Sequence, residues 1–194
     1  MNSGGGARLD LVSPAWVNRP SAGDSIAVDG CCLTVVESSC VNEDQYLLSF
    51  DVVQQTLDKT VLGGFVSGRM VNLETSATPE TLLGGHLVQG HVDSVAQVLQ
   101  IDEQPGNVRM HFRIEETLAE LLVPQGSITI DGVSLTIADV SDGQFQVALI
   151  PTTLEWTNLS ERCIGDRVNI ESDILLRSIR QLMVARGILP AIDQ

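Results

Sequence analysis

Apolar and polar residues alternate with a period of two along most of this chain. The runs are short, and Gly, Asp and Asn bound them. Strands are therefore predicted at "SIAVDG" (25–30), "CCLTVVES" (31–38), "YLLSFDVV" (46–53), "MVNLET" (70–75) and "LVQGHVDSVAQVLQ" (87–100). Others follow at "VRMHFRI" (108–114), "SITIDG" (127–132), "SLTIADV" (134–140), "FQVALI" (145–150) and "RVNIESD" (167–173). Short helical turns fit "QQTLDKT", "ETLAELLV" and "TTLEWTN". Only the tail, "SDILLRSIRQLMVARGIL", reads as a long helix, with Leu175, Ile179, Leu182 and Met183 on one face. Many short strands joined by Gly-rich turns predict closed or nearly closed antiparallel barrels.

The pattern then repeats. "GDSIAVDGCCLTVV" is answered by "QGSITIDGVSLTIA", with Asp29-Gly30 matching Asp131-Gly132 and Leu33-Thr34 matching Leu135-Thr136 at an offset of 102. Thr56-Leu57 matches Thr153-Leu154, and Val71–Glu74 matches Val168–Glu171, at an offset of 97. The five residues lost between the two offsets are assigned to the hairpin loop, where "VESSCVNEDQY" is longer than "ADVSDGQ". Blocks matched in the same order imply a duplicated barrel. "ARLDLVS" pairs with "VRMHFRI" at an offset near 101, which leaves "HVDSVAQVLQ" without a counterpart in the first copy. The expected fold is all-β: two tandem six-stranded antiparallel Greek-key barrels, the first lacking its opening strand, and a C-terminal α-helix. The expected divisions are 1–84, 85–173 and 174–194.

Charge narrows the partners. A formal net charge of -14 would repel phosphate backbones, so nucleic acid and anionic membrane surfaces are excluded as partners. No apolar run reaches the roughly 18 residues of a membrane span, and the start carries no secretory pattern. The four cysteines, Cys31, Cys32, Cys40 and Cys163, lack framework or ligand spacing. They read as reduced thiols in a cytosol-like compartment, and no metal site is expected.

The segments "GDSIAVDGCCLTV", "GGHLVQGHVD", "GSITIDGVSLTI", "LIPTTLEWTNL" and "GDRVNIESD" together resemble the riboflavin synthase family, over roughly residues 8 to 175. The resemblance implies two lumazine-binding barrels and a helix through which three chains associate. It also implies a cofactor-free dismutation. Two molecules of 6,7-dimethyl-8-ribityllumazine exchange a four-carbon unit, giving riboflavin and 5-amino-6-(ribitylamino)uracil. One lumazine would sit in each barrel, the productive site pairing unlike barrels of neighbouring chains. The 7-methyl group of the substrate is acidic because its anion is delocalised, so the protein mainly has to orient two rings. The alternative within the same superfamily is a non-catalytic lumazine- or flavin-binding protein.

The same resemblance nominates site residues. Cys32, His91 and Ser134 are the catalytic candidates. Ser25, Thr34, Asp51, Thr136, Ile150, Thr153 and Asp173 are the substrate-binding candidates. Cys32 and Ser134 occupy one position in the two copies, so a thiol in one pocket faces a hydroxyl in the other. His91 is placed to move protons near neutral pH. His86 is read as a residue that orders the linker, and His111 as a surface strand residue. Asp29 and Asp131 suit either a tight turn or a site role. Against the family pattern, the start is Met-Asn-Ser-Gly-Gly-Gly, and Gln125 stands where a Lys is usual. Gln54-Gln55 and Thr152 replace more usual acidic or His residues.

Overall fold

The computed structural model describes residues 5–16 and 18–190. The Met-Asn-Ser-Gly start falls outside them. Strands β1 (Gly6–Pro14), β2 (Ser25–Val28), β3 (Cys31–Asn42), β4 (Gln45–Val53) and β5 (Leu73–Thr75) form a sheet in the order β1-β4-β3-β2-β5. Strands β6 (Ser94–Gln104), β7 (Asn107–Arg113), β8 (Ser127–Ile130), β9 (Val133–Ser141), β10 (Gln144–Leu149) and β11 (Arg167–Ser172) close into a barrel, β10-β7-β6-β11-β8-β9. Helical turns α1 (Gln54–Lys59), α2 (Glu116–Ala119) and α3 (Pro151–Trp156) connect strands, and α4 (Ile174–Ala185) ends the described chain.

The repeat holds at the level of register. Ser25↔Thr34 corresponds to Ser127↔Thr136, and Ala27↔Cys32 to Thr129↔Ser134. Leu11↔Leu48 corresponds to Phe112↔Phe145, whose rings stack with centroids 5.1 Å apart. Both hairpins turn on two residues, Glu43-Asp44 and Asp142-Gly143. The extra residues of the first copy therefore lengthen the β3–β4 arms instead of the loop, and β3 absorbs irregularities near Val35–Glu37 and Cys40–Asn42.

Among the described residues β6 has no counterpart in the first half. In the second half β6 lies between β7 and β11 and covers Met110 and Phe112, which are 1% and 0% exposed. Their equivalents Leu9 and Leu11 are only half-buried. A cleft of about 730 Å³ lies beside β1, lined by Ala7, Leu9, Val52, Phe65, Arg69 and Arg167 among others. The stretch at 87–93 is also not strand: the chain there is an irregular strap, and β6 begins only at Ser94.

Each half has its own apolar cluster, Ile26, Val28, Leu33, Val35, Leu48 and Phe50 in one, Val98, Met110, Phe112, Ile128, Ile137 and Phe145 in the other. Inward side chains fill these interiors.

The two halves meet at a polar joint built from the repeated Asp-Gly turns. Asp29 and Asp131 have φ of 42° and 46° and are both 0% exposed. Asp29 accepts from the Asn72 N–H and Asp131 from the Asn169 N–H, each at 2.8 Å. The Asn72 side-chain amide crosses to the Asp131 carbonyl at 2.9 Å, and that of Asn169 to the Asp29 carbonyl at 2.8 Å. Gly30 lies against Gly132, and a Cβ on Gly30 would meet the Gly132 nitrogen at 2.5 Å. Symmetry fails at Arg162, which donates to Asp131 at 2.9 and 3.1 Å and reaches Asp29 at 3.5 Å. Its equivalent by the 97 offset is Phe65. These aspartates are turn and joint residues.

Candidate functional site

On β3 the burial alternates: Cys31, Leu33 and Val35 point inward, Cys32 and Thr34 outward. Adjacent cysteines thus end on opposite faces, and burial pushes the Cys31 thiol up to about 11, leaving it inert. The four cysteines are all free thiols. On β9, Ser134 and Thr136 likewise face outward. Each copy therefore presents a polar row on its outer face. In the first half Ser25 and Thr34 are cross-strand partners, and Asp51, one position along from the Val35↔Phe50 pair, faces the same way. In the second half the row is Ser127 and Thr136, with Ala148 at the place of Asp51. Ser127 was missed by the sequence reading, although the 102 offset from Ser25 points to it.

A strap from Gly84 to Asp93 crosses both rows. The Gly90 carbonyl accepts the Cys32 N–H at 2.8 Å, and a Cβ on Gly90, whose φ is 76°, would come within 2.6 Å of Cys32 Cβ. Only glycine fits there. Further back along the strap, Gly85 lies directly against Ser134 Oγ. The His86 ring bonds Ser134 Oγ through Nδ1 at 2.8 Å and Thr129 Oγ1 through Nε2 at 3.1 Å.

The strap is anchored from below. Glu171 accepts the N–H groups of Gln89 and Gly90 at 2.8 and 2.9 Å. Asp93 accepts the Ser172 N–H and hydroxyl at 2.7 and 2.6 Å and pairs with Arg177 of α4. Burial raises the Glu171 carboxyl above its usual range, the two N–H bonds working against that. Burial lowers the His86 imidazole, partly offset by the Asp173 carboxylate.

Of the predicted residues, Ser134 and Thr136 are brought together with His86 and Thr129, and Asp173 faces the same histidine. Cys32, Thr34, Ser25 and Asp51 form the matching surface on the first half. His91 is exposed, next to Gly90 on the Cys32 side of the strap. The histidine at Ser134 is His86, which the sequence reading gave only a linker role. Asp173 caps α4, accepting the Leu175 N–H at 2.8 Å. Ile150, 58% exposed, and half-buried Thr153 stand at the start of α3. None of these residues lines the cleft beside β1 or a second one of about 710 Å³ between the halves. The rows are open surface. His111 is half-buried on β7 and bonds Asp102 at 3.1 Å.

The class defined by this geometry is a tandem repeat of antiparallel β units, one a closed barrel and one a five-stranded sheet, each with an outward-facing Ser/Thr row. Comparison with known proteins narrows it. The lumazine binding domain matches twice, at residues 7–76 and 89–173. Riboflavin synthase of Mycobacterium bovis is 38% identical over 93% of this chain and 90% of its own length. That of Bacillus subtilis is 40% identical over 79% of this chain and 69% of its own length. Among solved structures, LumP complexed with riboflavin superposes with a TM-score of 0.70 at 30% identity, covering 78% of this chain and 79% of that one. This chain belongs to the riboflavin synthase family.

Proposed function

We propose that this protein is a riboflavin synthase that uses its two outer Ser/Thr rows to bind two molecules of 6,7-dimethyl-8-ribityllumazine and carries out their dismutation. Family membership over most of the chain supports the activity. The observation that carries the use of the rows is their equivalence: Ser25–Thr34 and Ser127–Thr136 occupy the same register on the outer face of each repeat. Two identical substrates need two related surfaces, and the reaction needs them unequal only at the reacting centre. Cys32 opposite Ala27 and Ser134 opposite Thr129 supply that inequality.

In this reading the Ser/Thr rows, with Asp51 on the first half and Asp173 on the second, hold ring edges and ribityl hydroxyls. Ile150 and Thr153 bound the second surface. Cys32, Ser134 and His91 lie nearest the reacting atoms. Divisions at 1–84, 85–173 and 174–194 follow the repeat and the helix. Both rows are open, so a second chain completes each site, and a homotrimer joined through α4 fits the exposed stripe of Leu175 (62%), Ile179 (54%) and Leu182 (65%). Free thiols suit a cytoplasmic setting.

Purified protein mixed with the lumazine should form one riboflavin per two lumazines consumed. The similarity to LumP favours a second reading, a binder without turnover. A change in lumazine fluorescence with no riboflavin formed would establish that reading and reject the synthase.

A further inference from the structure

Ser134 is the one candidate hydroxyl in either row that a histidine holds. The His86 ring spans two neighbouring strands, because Thr129 of β8 and Ser134 of β9 are direct cross-strand partners. Both ring nitrogens are taken up by these hydroxyls, at 2.8 and 3.1 Å. Gly85 lies so close to Ser134 Oγ that any Cβ there would turn the serine off the ring. The first half cannot repeat the arrangement, since Ala27 and Cys32 occupy the two positions.

We infer that His86 is a positioning residue for the second lumazine surface, fixing Ser134 Oγ and setting which way its hydrogen points. A neutral imidazole has one N–H and one lone pair. The three groups therefore form a directional chain. In one direction Ser134 donates to Nδ1, and Nε2–H donates to Thr129. In the other, Thr129 donates to Nε2, and Nδ1–H donates to Ser134, which frees the serine hydrogen for a bound ring. Protonation of the imidazole leaves Ser134 only the second arrangement. His86 thus governs whether the second row offers a donor, a property the Cys32 row lacks. Burial holds the ring toward its neutral form, and the nearby Asp173 carboxylate opposes that only in part.

This inference rests on the assignment of the rows as lumazine surfaces, and its test is read in binding as well as turnover. Fluorescence titration with 6,7-dimethyl-8-ribityllumazine and kcat/KM for riboflavin formation would be measured for His86→Ala, Ser134→Ala and the double variant. Losing one good hydrogen bond weakens each single variant about fivefold to tenfold. If His86 acts through Ser134, the double variant is no worse than the poorer single one. Effects that multiply would overturn the inference and leave His86 a linker residue.

A second pair guards against misfolding. Asn places its amide near the Nδ1 position and Gln near Nε2, so His86→Asn should retain more binding than His86→Gln. The reverse order would also overturn the inference. Glu171 anchors the strap independently of His86, so melting temperatures of these variants should stay close to that of the parent. If the parent binds lumazine but makes no riboflavin, the proposed activity fails while the coupling test still decides the role of His86. If it binds no lumazine, the row assignment fails and this inference with it.

Discussion

Asp131 is the sharpest test of how the halves are held. It is wholly buried, shares Arg162 with a second buried carboxylate, Asp29, and burial followed by the Asp29 charge pushes its pKa to about 7 from 3.8. Burial raises Asp29 as well. The sign follows from proton counting. Below pH 4 Asp131 is protonated in both folded and unfolded chains. Between 4 and 7 the unfolded chain has released the proton while the folded chain keeps it, so stability falls as pH rises. Well above 7, near pH 8 and beyond, both are ionised and the loss is complete. At about 1.4 kcal/mol per unit, the full effect is on the order of 4 kcal/mol, of which about 2 falls between pH 5 and 7. Asp131→Asn removes the titration and keeps the side-chain shape. The amide oxygen can still accept the Asn169 N–H, while the amide NH2 faces the Arg162 guanidinium and loses its two bonds, a cost that does not vary with pH. Urea unfolding of parent and variant at half-unit steps from pH 5 to 8 isolates the term. The parent should lose stability relative to the variant as pH rises, most steeply between 5 and 7. A difference that stays flat across this window, or that grows in the parent's favour, would refute the account of the joint as a buried, proton-holding pair.

Replacing Arg162 with Leu leaves buried Asp131 without its cation, Asp29 keeping Arg69 at 3.5 Å, and should cost about 3–5 kcal/mol at pH 8, read as a lowered urea midpoint. The loss should shrink at pH 5, where Asp131 carries its proton. Gly90→Ala puts a methyl group into Cys32 at a left-handed φ of 76°, and should lower lumazine affinity at least tenfold while the secondary structure seen by circular dichroism stays unchanged. Leu175→Glu with Ile179→Glu places charges on the exposed face of α4. Sedimentation velocity should then show monomers where the parent shows a larger assembly, and riboflavin formation should fall with it.

Much of this was legible because barrels advertise themselves locally. Strand alternation, the Asp-Gly turns and the two offsets located nearly every element, and among the described residues of the first copy β6 has no counterpart. What stayed hidden depends on through-space pairing. The identity of Arg162 as the shared cation could not be read, because its repeat equivalent is Phe65 and no motif marks it. The strap was read as strand because "LVQGHV" alternates correctly. Its backbone instead bonds to Glu171 and Cys32, so the alternation serves a different purpose. His86 and His91 stand five residues apart in "GGHLVQGH" and look equally eligible, yet the fold bonds His86 to Ser134 and leaves His91 exposed.

That separation has a consequence for the chemistry. One strap ties one histidine to Ser134 and leaves the other exposed after Gly90, while Gly85 and Gly90 give the strap close approach to Ser134 and Cys32. The two surfaces began as copies, and their cores and registers still match. They differ where the strap touches them: a hydroxyl tied to an imidazole on one side, and on the other a thiol whose own backbone N–H is taken by the strap. Under the proposed dismutation, the duplicated fold would supply two surfaces for a single kind of molecule, and the unduplicated strap between them would allow the two bound molecules to be treated differently.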